Sequence, residues 1–141
     1  MIFVMVASTA IMGFITFKRN LPYDARAGVF LFILYFIGAL GLYNTALSGD
    51  GRVLFFALVI LTAILFDLIA SVIVLGCVLL TYVVIGWLQV SETITVPLAL
   101  QANAADPAAW LSGGIVFLAL SAAALPSVSY LLRALEQSLE K

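Results

Sequence analysis

Asp67 is the one charge in the apolar run 53–89, and a carboxylate at bilayer depth is the group here best placed to take up a proton or a cation. The same residue would equally cap a helix beginning at Leu68 while sitting at a wet surface. No basic or second acidic residue is placed to form a relay with it, which favours the cap. Asn44, beside Thr45, is the other candidate to contact a ligand; the alternative for both is local or interhelical hydrogen bonding. Asp50 lies between two glycines in SGDGR, and a lone acidic turn of this kind reads as a turn. With no histidine and a single cysteine, Cys77, there is no disulfide, no usual zinc or haem ligand set and no Cys/His nucleophile. Cys77, inside an apolar run, reads as a small packing residue. The chain is therefore expected to be no enzyme and to carry no cofactor.

The elements that would position these residues are apolar. Hydrophobic residues make up 65% of the 141 and charged ones 9%, against about 25% charge in a soluble domain, so lipid must cover much of the surface. A formal charge of -1 offers no basic face, and nucleic acid is excluded as a partner. A bilayer core of about 30 Å needs about 20 helical residues. The run 53–89 is too long for one crossing and barely enough for two, so it reads as a helical hairpin turning at Asp67. Walking the chain on this basis gives five apolar segments, about 1–17, 27–47, 53–66, 68–89 and 110–132. The expected fold is all-α, a polytopic transmembrane bundle over 1–132. Its arm 53–66 provides only about 21 Å of helix and needs flanking residues or a thinner bilayer to span. The NLPYDAR and SGDGR stretches and residues 90–109 read as loops.

Five crossings with a cytoplasmic C-terminus put Lys18, Arg19, Arg26, Arg133 and Lys141 inside and only Arg52 outside, a clear positive-inside bias. Tyr43, Trp87 and Trp110 then fall near the outer interface as an aromatic belt, with Tyr23 and Tyr130 near the inner one. The expected location is a bacterial cytoplasmic membrane, multi-pass, with lipid as the immediate partner. Met1 would lie outside, or the chain would be a piece whose preceding helix is missing.

The fifth segment is dense in small residues: Ser112, Gly113, Gly114, Ala119, Ser121, Ala122, Ala123 and Ala124. Such residues let helix backbones approach closely in lipid, either within the bundle or against a second protomer. Pro126 removes the hydrogen bond to Ala122 and should bend the helix, making it a hinge candidate for signal relay. Beyond it, Val128, Leu132, Leu135 and Leu139 are spaced four, three and four, the seam of a coiled coil that would join two copies as a homodimer. An amphipathic helix lying on the membrane surface is the alternative. No glycine or proline separates the last crossing from the seam, so residues 133–141 read as the start of a signalling coiled coil.

Three stretches, 21–67, VLLTYVVIGWL and 108–141, resemble the N-terminal membrane region of bacterial sensor histidine kinases of the PAS-containing type. The similarity is carried by LPY-x-x-RA from Leu21, GDGR from Gly49 and W-L-x-G-G from Trp110. The chain departs from that pattern at Asp67, where a basic turn is usual, at Pro126, and in beginning without a further upstream helix. The resemblance implies a sensor and anchor whose last helix relays a signal to cytoplasmic modules, with the kinase chemistry elsewhere in a longer chain. The competing readings are a small transporter or channel subunit, for which Asp67, Asn44, Thr62 and Thr81 draw no continuous polar path, and a structural accessory subunit of a membrane complex.

Overall fold

Pro22 and Asp24 begin a helix rather than interrupt one. Proline has no N–H to leave unpaired at a helix entry, and a carboxylate in the first turn suits the N-terminal end of the helix dipole. In the computed structural model, which describes residues 22–94 and 104–139, helix α1 accordingly runs Tyr23–Thr45, starting one turn before the expected 27. Its first residues extend the apolar span into what reads from sequence as a loop. The chain then leaves the helix at Ala46, whose φ of 51° is a left-handed conformation that costs an alanine roughly 1–3 kcal/mol. A 3-10 turn, Ala46–Ser48, leads into α2, Gly51–Leu65.

Asp67 is extended, at φ -158° and ψ 176°, and its Oδ1 accepts the Ala70 N–H at 2.6 Å. It thus breaks the long apolar run and caps α3, Leu68–Val90. The last helix, α4, spans Pro107–Leu139, starting before the expected 110 and running on unbroken past 132, and passes through Pro126 without interruption. Among the described residues every regular element is helical. Three helices, α1, α3 and α4, are long and apolar enough to cross a membrane; α2 is shorter. The expected first crossing, 1–17, and the basic residues Lys18, Arg19 and Lys141 lie outside the described residues.

The shortest helix is the centre of the bundle. One face of α2 is almost fully buried through Phe55, Leu58, Val59, Thr62 and Ala63, and α2 touches all three other helices. Its short span is explained by this position, since protein rather than lipid covers most of it. The approach of α1 to α2 is backbone to backbone. A Cβ at Gly51 would stand 2.7 Å from the Leu42 amide nitrogen and 2.8 Å from the Gly38 carbonyl oxygen, and one at Gly38 would meet the Phe55 ring at 2.9 Å. Close approach of this kind is how helices gain packing energy in lipid, where apolar burial alone gives little preference for a neighbour helix over an acyl chain.

Helix α3 is tied to the others by hydrogen bonds. The Ser71 hydroxyl donates to the Val59 carbonyl on α2 at 2.7 Å. Tyr35 on α1 bonds to Thr81, whose own hydroxyl proton goes to the Cys77 carbonyl at 2.9 Å, so Tyr35 is the donor of the pair. Cys77 itself is exposed on the face of α3 turned away from the core, contrary to its expected role as a buried packing residue. The buried residues of α3 are Ser71, Val78, Tyr82, Ile85, Gly86 and Gln89, and position 77 falls off that stripe.

Candidate functional site

The polar groups that the fold gathers lie at one end of the bundle, where α1 and α3 finish and α2 and α4 begin. Gln89, in the last turn of α3, is 3% exposed. Its Nε2 donates to the carbonyls of Leu42 at 3.1 Å and Tyr43 at 3.2 Å, two of the last acceptors of α1. The Leu42 carbonyl also accepts the Ala46 N–H at the helix end, so Gln89 adds a second hydrogen bond there. The Gln89 Oε1 is buried without a partner among the described residues. Two turns earlier in α3, the Tyr82 hydroxyl donates to the Trp110 carbonyl at 3.1 Å, and the two rings meet edge-on with centroids 5.0 Å apart. The indole N–H of Trp110 donates to the Ala104 carbonyl at 2.9 Å.

Trp110 is therefore not a member of an interfacial belt. It is 6% exposed and its ring fills the notch left by Gly86, where a Cβ would stand 2.8 Å from a ring carbon. Trp87 does face outward, at 74% exposure, and Tyr43 is exposed as well. The small residues of α4 divide in the same way. Gly113 and Gly114 admit the Tyr82 side chain and Ser121 is fully buried, so these three serve the bundle itself. Ser112, Ala119, Ala122 and Ala123 are exposed.

Arg52, in the first turn of α2, is half-buried, and its Nη2 donates to the Leu47 carbonyl at 2.5 Å. Its Nη1 and the Tyr82 hydroxyl both crowd Gly113: a Cβ there would stand 3.2 Å from the one and 2.6 Å from the other. Arg52, Tyr82, Gln89 and Trp110 thus join the four described helices over the last two turns at this end of the bundle. The sequence reading used Arg52 only as a topology marker and gave Gln89 no role. The one available signal was that each is an uncommon polar residue within an otherwise apolar hairpin.

The residues singled out from sequence are placed elsewhere or apart. Asn44 is exposed and its amide bonds back to the Leu40 carbonyl at 2.7 Å, in the same helix. Asp67 is exposed at the opposite end of the bundle, occupied as a cap. Pro126 is exposed, Val128 and Leu132 are half-buried, and Leu135 and Leu139 are 58% and 84% exposed. No cluster of three or more His, Cys, Asp or Glu side chains able to hold a metal occurs among the described residues.

Two wider openings complete the surface. An apolar cleft of about 480 Å³ separates α3 from α4 beside Trp87 and Trp110, and a groove of about 540 Å³ lies between α1 and α3 with Cys77 and Phe32 on its walls. Both are lined mainly by apolar side chains, so they can hold apolar groups.

No curated protein and no solved structure matches the chain. A family model does, over residues 1–135, and its family is MASE11. An all-helical apolar bundle, with its polar groups spent on joining helices, and a match spanning nearly the whole chain lead to one assignment: the chain belongs to the MASE11 family of membrane-associated sensor domains.

Proposed function

We propose that this chain is the sensory and anchoring region of a bacterial sensor histidine kinase, relaying its state through α4 to cytoplasmic modules. The observation that carries the reading is the length and phase of α4. Arg52 lies against Gly113, and Phe56 and Phe117 share one groove wall, so α2 and α4 run parallel in a fixed register. Carried along both helices, that register sets the end of α2, Leu65, about level with Pro126. From there α4 continues past the end of α2 to Leu139.

The inward stripe of α4 runs through Trp110, Phe117, Ser121 and Leu125 and continues in the same phase into Val128, Leu132, Leu135 and Leu139. A stripe that packs on the bundle and then emerges exposed suits a parallel coiled coil between two copies. The protein would then be a homodimer of a two-component system in the bacterial cytoplasmic membrane, its C-terminus cytoplasmic. Leu135 and Leu139 favour this over a transporter or channel subunit, which has no use for an apolar seam outside the bundle.

Helical phase provides the test. In the full-length protein, seven residues inserted after Glu140 shift phase by only about 20°, whereas two residues rotate it by about 200°. Output near normal with the first insertion, and locked or inverted with the second, is the expected result. Equal tolerance of both insertions would remove the relay.

A further inference from the structure

The groove between α2 and α4 differs from the other two openings in carrying a charge. It encloses about 240 Å³, with Gly49 and Arg52 at one end and Phe56, Gly113, Phe117 and Leu120 along its walls. Arg52 is the one charged residue that lines it. A guanidinium has five N–H donors in a planar fork. One nitrogen of Arg52 is engaged by the Leu47 carbonyl, and the other, Nη1, stands beside Gly113, where any larger residue would displace it. A cation in apolar surroundings is costly unless paired. Here no carboxylate lines the groove to pair with it.

Past Arg52 the groove is hydrocarbon. From Gly113 to Leu120 it follows α4 for about 10 Å along the helix axis, in the direction an acyl chain takes away from its headgroup. Its volume falls below the roughly 300–1,000 Å³ of sites for drug-sized ligands, which suits one alkyl chain better than a ring system. We propose that this groove is a binding site for a membrane lipid with an anionic headgroup, the phosphate on Arg52 and one chain along Phe56, Phe117 and Leu120. The charged end selects the headgroup, and the apolar walls select a chain over a free anion. This inference goes beyond the sensor reading and stands whether or not α4 reports occupancy to other modules.

Native mass spectrometry of the purified chain, titrated with dioleoylphosphatidylglycerol, dioleoylphosphatidylcholine or glycerol 3-phosphate, tests it. The phosphatidylglycerol should bind about tenfold more tightly than the phosphatidylcholine, whose choline cation cancels the headgroup's net charge beside Arg52, and glycerol 3-phosphate should not compete at equal concentration. Arg52→Gln should erase the preference between the two lipids. Leu120→Trp, at an exposed position on the groove wall, should weaken both lipids while leaving thermal stability unchanged. If Arg52→Gln does not fold, the wild-type selectivity and Leu120→Trp decide the matter alone. Equal affinity for the two lipids, competition by glycerol 3-phosphate, or indifference to Leu120→Trp would each overturn the site.

Discussion

The α1–α2 and α3–α4 contacts are both built on glycine, but the glycines face different things. Gly51 brings two backbones together, and the atoms a methyl there would strike are a main-chain nitrogen and a carbonyl oxygen, while Gly38 opposite it receives the Phe55 ring. Gly86 and Gly114 receive the Trp110 and Tyr82 rings, which turn on their own side-chain bonds. At Gly51 the contact is all-or-none, because backbone stands on both sides. The second can adapt, and it lies beside the 480 Å³ cleft that leaves α4 room to shift. Of the two contacts, the one between α3 and α4 is thus the one with room to adjust, while α4 keeps its register along α2.

One added methyl tests this contrast most sharply. Gly51→Ala should cost about 3 kcal/mol, at the top of the range for overpacking, because the methyl meets backbone at 2.7–2.8 Å. The expected result is a large drop in thermal stability in detergent, or no folded protein. Gly86→Ala adds the same group against the Trp110 ring and should cost about 1 kcal/mol, with the fold kept. Comparable losses in the two variants would mean that the α3–α4 contact is as unyielding as the hairpin.

Gln89→Leu removes both hydrogen bonds from α3 to the end of α1 while nearly preserving side-chain bulk. A stability loss of about 1–2 kcal/mol is expected from leaving the two carbonyls without that donor. Stability unchanged or raised would show that relief of the unpartnered Oε1 outweighs the two bonds. Tyr35→Phe deletes the α1–α3 link and should cost about 0.6 kcal/mol, the usual size of an interhelical hydrogen bond in a membrane bundle. The loss should be read by thermal unfolding, and one as large as that of Gln89→Leu would relocate the main attachment of α3 to the level of Tyr35.

The smallest effect is expected at Asp67. Asparagine caps about as well as aspartate, so Asp67→Asn should leave stability and output unchanged, while Asp67→Ala should cost about 1 kcal/mol. Loss of output in Asp67→Asn with normal stability would mean that the charge itself has a role beyond the cap.

Much of the architecture was legible because it follows from local rules. A run of apolar residues long enough to span lipid must be helical, since helix formation alone satisfies its backbone groups there, and so α1, α3 and α4 could be read directly. The break at Asp67 was legible for the same reason, as a capping side chain acts on amides three residues away. The start of α1 was misplaced because Pro22 and the charges after it look alike in a loop and in a first helical turn.

The sequence by itself determined that this is a helical membrane protein and that its long apolar run turns at Asp67. Only the tertiary structure decided which faces meet. It made the shortest helix the core, turned Trp110 inward and Cys77 outward, and brought Arg52, Tyr82, Gln89 and Trp110 to one end of the bundle. The physical reason is that helices in lipid are uniformly apolar around their circumference. Hydropathy therefore does not distinguish the face that packs on a neighbour from the face that meets a lipid chain. That choice rests on glycine notches and single hydrogen bonds between residues as far apart in the chain as Leu42 and Gln89.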